Sequence, residues 1–459
     1  MKRGWSRRGF LRWSAGSVLG AALAPMGAKA VALRPNIVFI LTDDQRYDAM
    51  SCAGHPWVQT PHMDRLAREG ARFRNAFVTT SLCSPSRASF LTGCYAHTHG
   101  VFTNGSGDLD ASRPTFAQIL QKTGYETAFI GKWHMGRNDA ARPGFDHWVS
   151  FAGQGRYFGC PLNVNGQRRR ATKYITDELT DHAVAFLKKP RQKPFLLYLS
   201  HKAVHAPFTP AKRHAGRYGQ AEVKSRHNAA DRLTDKVPWG RKMPGNWQKL
   251  VRDYTEALLA VDESVGRVVA TLAELKQIDQ TAIVFAGDNG YFHGEHGGLW
   301  DKRAAYEPSM RIPLLMRYPL RVKAGTECDA LVLNIDLAPT LLELAGAAAP
   351  ASMQGRSWMG AAAGSDAGRR SFLYEYFREG DKRFNRPSVT AVRTPRWKYI
   401  TYPSLETGIE ELYDLEADPH ELRNLAASPA HATQLEAMKK ELARLKKETS
   451  FRAPAREPK

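Results

Sequence analysis

Four apolar runs, each ending abruptly in chemistry-bearing residues, constrain this chain more than any other feature. The first, Pro35-Asn36-Ile37-Val38-Phe39-Ile40-Leu41, is nearly continuous in apolar residues and stops at Thr42-Asp43-Asp44. A strand that is apolar on both faces is buried on both faces, which is the habit of a parallel sheet covered by helices. The second, Tyr125 to Ile130, runs into Gly131-Lys132-Trp133-His134-Met135-Gly136. The third, residues 194–200, runs straight into His201-Lys202-Ala203-Val204-His205-Ala206-Pro207-Phe208, and the fourth, 281–286, ends in Gly287-Asp288-Asn289-Gly290. Helical stretches at 115–122, 175–188, 249–275 and 336–345 alternate with them. The expectation is an α/β fold with a mainly parallel central sheet flanked by helices, and a ligand site at the carboxyl edge of its strands.

Between the first two runs lies Ser81-Leu82-Cys83-Ser84-Pro85-Ser86-Arg87-Ala88-Ser89-Phe90-Leu91-Thr92-Gly93. Cys83 precedes a Pro-containing turn, and Ser86 to Leu91 reads as the start of a helix. A side chain there faces unpaired backbone N–H groups that favour developing negative charge. Arg87, four residues on, can aim a planar cationic fork at the same spot. Alone, the segment reads equally as a half-buried structural cysteine beside a helix cap. Adjacent Asp43 and Asp44 at a buried strand end are costly unless a cation lies between them, and a hard divalent ion is the simplest answer.

Residues 1–30 combine Ser6-Arg7-Arg8-Gly9-Phe10-Leu11, a short Ala/Gly-rich apolar run and Ala28-Lys29-Ala30, the pattern of a twin-arginine export signal. The expected location is therefore periplasmic or secreted, reached through the twin-arginine export machinery. No apolar run is long enough to span a bilayer, so an integral membrane protein is not expected. The six Lys/Arg of residues 1–30 contribute to a formal charge of +21, leaving +15 for the rest, which suits polyanionic surroundings such as sulfated glycan. No zinc-finger spacing, RNA-binding signature or groove-reading basic helix is present, so nucleic acid is not the expected partner. Five cysteines, Cys52, Cys83, Cys94, Cys160 and Cys328, leave at least one unpaired, and their spacings fit no zinc site. Pairing among the four other than Cys83 is open.

The expected organisation is a signal at 1–30, a catalytic domain at 31–346, an Ala/Gly/Ser-rich linker at 347–369 and a small α+β domain at 370–459. The last rests on short strands at 388–393, 397–400 and 411–415 and an amphipathic helix near 430–447. Residues 209–246 form a long polar, basic segment broken by Pro and Gly, of the kind that serves as a lid or substrate contact.

Taken together, Asp43-Asp44, Cys83-Ser84-Pro85-Ser86-Arg87, Gly131-Lys132-Trp133-His134, His205-Ala206-Pro207-Phe208, Asp288-Asn289-Gly290 and the lysine after Leu299-Trp300 resemble the type I sulfatases of the alkaline phosphatase superfamily. Glu411-Leu412-Tyr413-Asp414-Leu415 with Asp418-Pro419 resembles that family's C-terminal signature. The resemblance implies an alkaline phosphatase-like fold. It also implies that a separate formylglycine-generating enzyme oxidises Cys83 to an aldehyde, which hydrates to a geminal diol. One diol oxygen attacks sulfur and expels the alcohol, and the second hydroxyl lets the covalent sulfate collapse back to aldehyde. By position, Asp43, Asp44, Asp288 and Asn289 are the implied ligands of a calcium ion, in preference to magnesium, with the group at Cys83 beside it. Arg87 and Lys132 are implied to hold the formylglycine, His134 to act as base, His205 to protonate the leaving alcohol and Lys302 to clamp the sulfate. His201 is read either as a further substrate contact or as packing.

Gly153-Gln154-Gly155, Asn163-Val164-Asn165-Gly166, the Tyr174-to-Asp181 run and Tyr374-Glu375-Tyr376-Phe377 resemble bacterial N-acetylglucosamine-6-sulfatases and mucin-desulfating sulfatases. The expected substrate is thus a sulfated carbohydrate, attacked in an exo manner, with basic residues of the 209–249 segment near the glycan. Two other readings fit the same residues. One is a phosphonate monoester or phosphodiester hydrolase of the same superfamily, separable by relative kcat/KM on paired sulfate and phosphate esters. The other is a non-catalytic binder of sulfated glycan with an unprocessed Cys83.

Overall fold

The computed structural model describes residues 34–454 except 233, 238–242, 381–385 and 407, so the export signal expected at 1–30 lies outside the described residues. The four apolar runs form neighbouring parallel strands at Asn36–Thr42, Glu126–Lys132, Phe195–Ser200 and Thr281–Gly287. Their ends are level. Leu41 sits opposite Ser200 and Ala286, Thr42 opposite Gly287, and Gly131 opposite Ser200. Polar residues that follow each run therefore emerge along one edge.

These strands are the middle of a ten-stranded sheet in the order Thr326–Cys328, Ala71–Phe73, Leu314–Arg317, Thr281–Gly287, Asn36–Thr42, Phe195–Ser200, Glu126–Lys132, His147–Phe151, Pro161–Val164, Gln167–Arg170. The five strands from Thr281–Gly287 to His147–Phe151 are parallel, and antiparallel neighbours flank them. Alternate side chains enter opposite layers. Val38, Ile40, Leu197, Leu199, Ile283 and Phe285 pack beneath the helices Ile175–Leu187 and Trp247–Glu274. Ile37, Phe39, Leu196, Tyr198 and Val284 pack beneath Cys83–Thr92, Phe116–Lys122 and Leu337–Leu344. Each such side chain contributes about 1.5–3 kcal/mol by leaving water, which is why the runs are apolar on both faces.

Residues 347–369 are themselves packed: Trp358 and Met359 are buried in the second layer, and a short helix spans Met359–Ala362. A four-stranded antiparallel sheet follows, Phe372–Tyr376, Val389–Arg393, Trp397–Thr401 and Glu410–Asp414, backed by the helix Ala432–Glu448. Its core residues Phe372, Tyr374 and Tyr376 form one cluster with Phe77, Leu82 and Tyr95. The C-terminal sheet thus packs against the start of the cysteine-bearing helix.

One expectation needs refinement. The helix of the cysteine segment begins at Cys83 rather than Ser86, with extended Leu82 before it and Gly93 in the left-handed region (φ 66°) closing it. Pro85 falls in the first turn, where its missing N–H has no intrahelical acceptor to lose. All five cysteines are free. Among the described residues, no helix is long and apolar enough to cross a membrane.

Candidate active site

Position 83 is the floor of the site. Cys83 is fully buried in the first turn of its helix, with Sγ 3.5 Å from Asp43 Oδ1 and 3.1 Å from Lys302 Nζ. Burial, reinforced by the Asp43 charge, pushes its thiol up to about 12.

The carboxylates come from two adjacent strand ends. Asp43 is fixed by backbone bonds in both directions, its N–H to Ala203 O at 3.0 Å and its carbonyl accepting from Val204 N–H at 2.8 Å. Asp44 takes a left-handed backbone (φ 58°), and its N–H donates to Asp288 Oδ1 at 3.0 Å. One carboxylate oxygen from each of Asp43, Asp44 and Asp288 lies within 4.8 Å of the others, all buried. Burial raises Asp44 to about 6 and raises Asp288. Asp43 also feels burial, but Lys132 and the neighbouring cations outweigh it and hold its carboxyl well below the usual range. Asn289 Nδ2 donates to Asp44 Oδ1 at 2.6 Å, which leaves the buried Asn289 Oδ1 without a hydrogen-bond partner. An all-oxygen set with an orphaned acceptor fits a hard divalent cation.

Three cations surround the carboxylates. Arg87 donates through Nε to Asp288 Oδ2 (2.9 Å) and through Nη1 to Lys132 O (2.7 Å) and Ser200 Oγ (2.8 Å). Lys132 Nζ bonds Asp43 Oδ2 and the Gln154 side-chain oxygen, and Lys302 Nζ bonds Asp44 Oδ1. Gly131 makes this approach possible: its φ is 125°, and a Cβ there would fall 1.8 Å from Ser200 O.

Two imidazoles complete the group. Ser84 Oγ donates its one proton to His134 O, so the ring Nδ1 at 3.3 Å must donate to Ser84 Oγ, leaving Nε2 with its lone pair. Burial, then the Lys132 charge, hold His134 well below 6.5. His205 Nδ1 lies 2.6 Å from Ala206 O, an acceptor only, and Nε2 is 3.8 Å from Asp44 Oδ2. Burial also keeps His205 neutral. Two neutral imidazoles, each hydrogen-bonded through Nδ1 and so free to exchange a proton at Nε2, can serve acid–base chemistry here.

The structure therefore brings Asp43, Asp44, Cys83, Arg87, Lys132, His134, His205, Asp288, Asn289 and Lys302 together. His201 it does not: its side chain is wholly buried, with Nε2 3.1 Å from Ser264 Oγ of the long helix Trp247–Glu274. That placement is the one the packing reading describes. Gln154 and Ser84 touch the site without having been assigned a part in it. Gln154 follows the strand His147–Phe151 between two glycines, the same polar-after-strand signal as the other four.

The chain is similar to known proteins over most of its length. The sulfatase family profile matches residues 35–347, and an N-sulphoglucosamine sulphohydrolase C-terminal profile matches 294–448. An N-acetylglucosamine-6-O-sulfatase of Bacteroides thetaiotaomicron is 32% identical over 91% of this chain and 86% of its own length. A solved structure of a protein in complex with its substrate D-glucosamine-2-N,6-O-disulfate superposes with a TM-score of 0.85 at 31% identity, covering 91% of this chain and 98% of the other. A phosphonate monoester hydrolase of Agrobacterium radiobacter, at 23% identity over 91% of this chain and 96% of its own, with a TM-score of 0.77, shares the fold. The chain belongs to the sulfatase family, and it is a sulfatase by sequence and by fold.

Proposed function

We propose that this sulfatase removes a sulfate ester from a glucosamine-type residue of a sulfated glycan, using a nucleophile made from Cys83. The observation that carries the reading is the position of Cys83 beside Lys302 and the three carboxylates, with two neutral imidazoles completing the same site. Burial keeps the unmodified thiol protonated at neutral pH, so as cysteine it would be a poor nucleophile. Formylglycine at position 83 supplies, once hydrated, a geminal diol whose oxygen serves toward sulfur. A calcium ion held by Asp43, Asp44, Asp288 and Asn289 would supply charge stabilisation; magnesium, which keeps most of its waters, suits four protein donors less well.

The protein's own groups do the rest. Lys302 and Lys132 already bond carboxylates at the site, and their charges offset that of a bound sulfate. Arg87 holds the helix of position 83 against two strand ends, so the reacting atom is positioned before substrate arrives. His205, charged by the bound anion, donates a proton from Nε2 to the departing alcohol oxygen. His134 Nε2 accepts the proton released when the enzyme sheds sulfate.

We also propose twin-arginine export to the periplasm or beyond, which rests on residues 1–30. Conversion of Cys83 by a formylglycine-generating enzyme must precede closure of the fold, because the folded chain leaves position 83 no exposure.

The test is made on protein from a host that supplies that enzyme. Mass spectrometry of the Cys83 peptide should show a lighter, aldehyde-reactive form, and sulfate should be released from 6-sulfated glucosamine saccharides in preference to phosphonate monoesters. An unmodified thiol in protein that still turns over sulfate esters would overturn the nucleophile. Phosphonate cleaved better than every sulfated saccharide would overturn the substrate.

A further inference from the structure

Beside the reaction centre lies a cleft of about 700 Å³ with Phe158, Phe208, Lys212, Lys249 and Arg252 in its lining. Two short sets of contacts link its lining to the reaction centre. Phe208 is three residues beyond His205 and packs edge-on against Tyr254 (5.3 Å), whose hydroxyl donates to Asp44 O at 2.9 Å. On the other side, Tyr157, next to Phe158, donates its hydroxyl to His205 O at 2.7 Å.

The charges lining the cleft are unevenly committed. Its acids are already used: Glu256 accepts from the Gly216 and Tyr218 N–H groups, both at 2.9 Å, and Asp253 accepts from Lys249 at 2.6 Å. Of its three cations, Lys249 is paired with Asp253, but Arg252 and Lys212 are not so engaged. Among the described residues, Arg252 makes one side-chain hydrogen bond, to Ala221 O at 3.2 Å, and no ion pair, while Lys212 is exposed and makes neither. Phe158 is 45% exposed, one of few large apolar side chains so placed among the described residues, and its ring is held edge-on by Tyr174 at 5.4 Å. Arg170 flanks it, donating from Nε to Gly159 O at 3.2 Å. A fixed aromatic face beside uncommitted guanidinium and ammonium groups suits a flat, hydroxylated ring carrying an anion.

We propose that this cleft is a second saccharide subsite, which binds an anionic sugar residue next to the one that loses sulfate, with Phe158 against the ring face and Arg252 and Lys212 on its sulfate or carboxylate. The proposal rests on the sulfated-glycan reading above and deepens it: the substrate is an oligosaccharide rather than a lone sugar.

The test is calorimetric binding to the full-length protein carrying Cys83→Ala, which removes turnover. The probes are a heparin-derived tetrasaccharide and D-glucosamine-2-N,6-O-disulfate. The tetrasaccharide should bind at least about tenfold more tightly, the worth of one charge-assisted hydrogen bond, and Arg252→Gln and Phe158→Ala should each erase most of that advantage. Both positions are partly exposed, so the variants keep the fold, and Lys212→Gln gives an exposed third probe. Arg169→Gln, on the exposed edge strand Gln167–Arg170, is the control for diffuse attraction. No advantage for the tetrasaccharide, an advantage that survives in all three cleft variants, or an equal loss in Arg169→Gln would each overturn the subsite. Sulfate release by the processed enzyme is scored separately. A cleft preference that behaves as described in an enzyme that desulfates neither probe would leave the subsite standing and sink the substrate reading.

Discussion

Arg87 Nε and Nη2 both reach the same oxygen of Asp288, at 2.9 and 2.8 Å, and tie the helix of the nucleophile position to the end of the strand Thr281–Gly287. Both side chains are fully enclosed, so the pair is a structural and electrostatic unit.

Removing the guanidinium leaves a buried carboxylate with one cation fewer and takes away donors from Lys132 O and Ser200 Oγ. Arg87→Ala should therefore lower unfolding free energy by about 3–5 kcal/mol, read from denaturant melts. Arg87→Lys restores charge without the fork geometry and should recover only part of both stability and kcat. Full recovery by lysine would show that charge alone matters here.

His201 and His205 should respond in opposite ways. His201→Ala removes a packed ring and its bond to Ser264, so it should cost about 2–4 kcal/mol of stability with KM for a sulfated saccharide unchanged. His205→Ala should leave the melting temperature nearly intact and lower kcat by about 10²–10⁴. The loss should shrink for an aryl sulfate, whose leaving group needs no proton. The same loss for aryl and sugar sulfates would remove His205 from the role of acid.

That pair also marks how far the sequence could be read. The strands were legible because a strand buried on both faces must be apolar throughout, and the polar residues at their ends were legible because such residues have no place in a core. Whether His201 turns toward the site beside His205, four residues on, was not legible. It depends on how the chain bends after Ser200, a path set by the reciprocal bonds between Asp43 and residues 203 and 204. Gln154 was quoted in the sequence only as part of a resemblance, since its role needs Lys132 Nζ to arrive from another strand. Pro85 suggested a turn before the helix, whereas the first turn of a helix accepts proline without loss. Cysteine pairing depends on distances that no spacing reveals, and the fold leaves all five free.

Chelation should cost both activity and stability. Three buried carboxylates converge, and burial raises two of them, so a divalent ion that favours their ionised forms should add stability. Adding calcium to chelator-treated protein should raise the melting temperature with concentration, gaining about 2.7 kcal/mol at a hundredfold excess over Kd. Asn289→Ala removes the orphaned oxygen and should shift that titration to higher calcium. A melting temperature indifferent to both chelator and calcium would exclude a metal at these residues.

The seam between the cysteine-bearing layer and the C-terminal sheet should be pH-sensitive through His97. Its Nδ1 lies 2.6 Å from Glu375 Oε2 and its Nε2 2.9 Å from Thr449 O. A carboxylate and a carbonyl only accept, so both ring nitrogens donate and the imidazole is held as a cation. Burial opposes that charge, but the hydrogen bond and attraction of Glu375 outweigh it, and the group titrates above its ordinary 6.5. A histidine whose folded value is raised contributes its full stability below the unfolded value and loses it as pH rises through the folded one. The stability advantage of the parent protein over His97→Gln should therefore be largest below 6.5 and decline at higher pH, followed by thermal melts of both proteins across that range. An advantage that grows with pH would mean that the imidazole is held neutral, and that Glu375 binds it some other way.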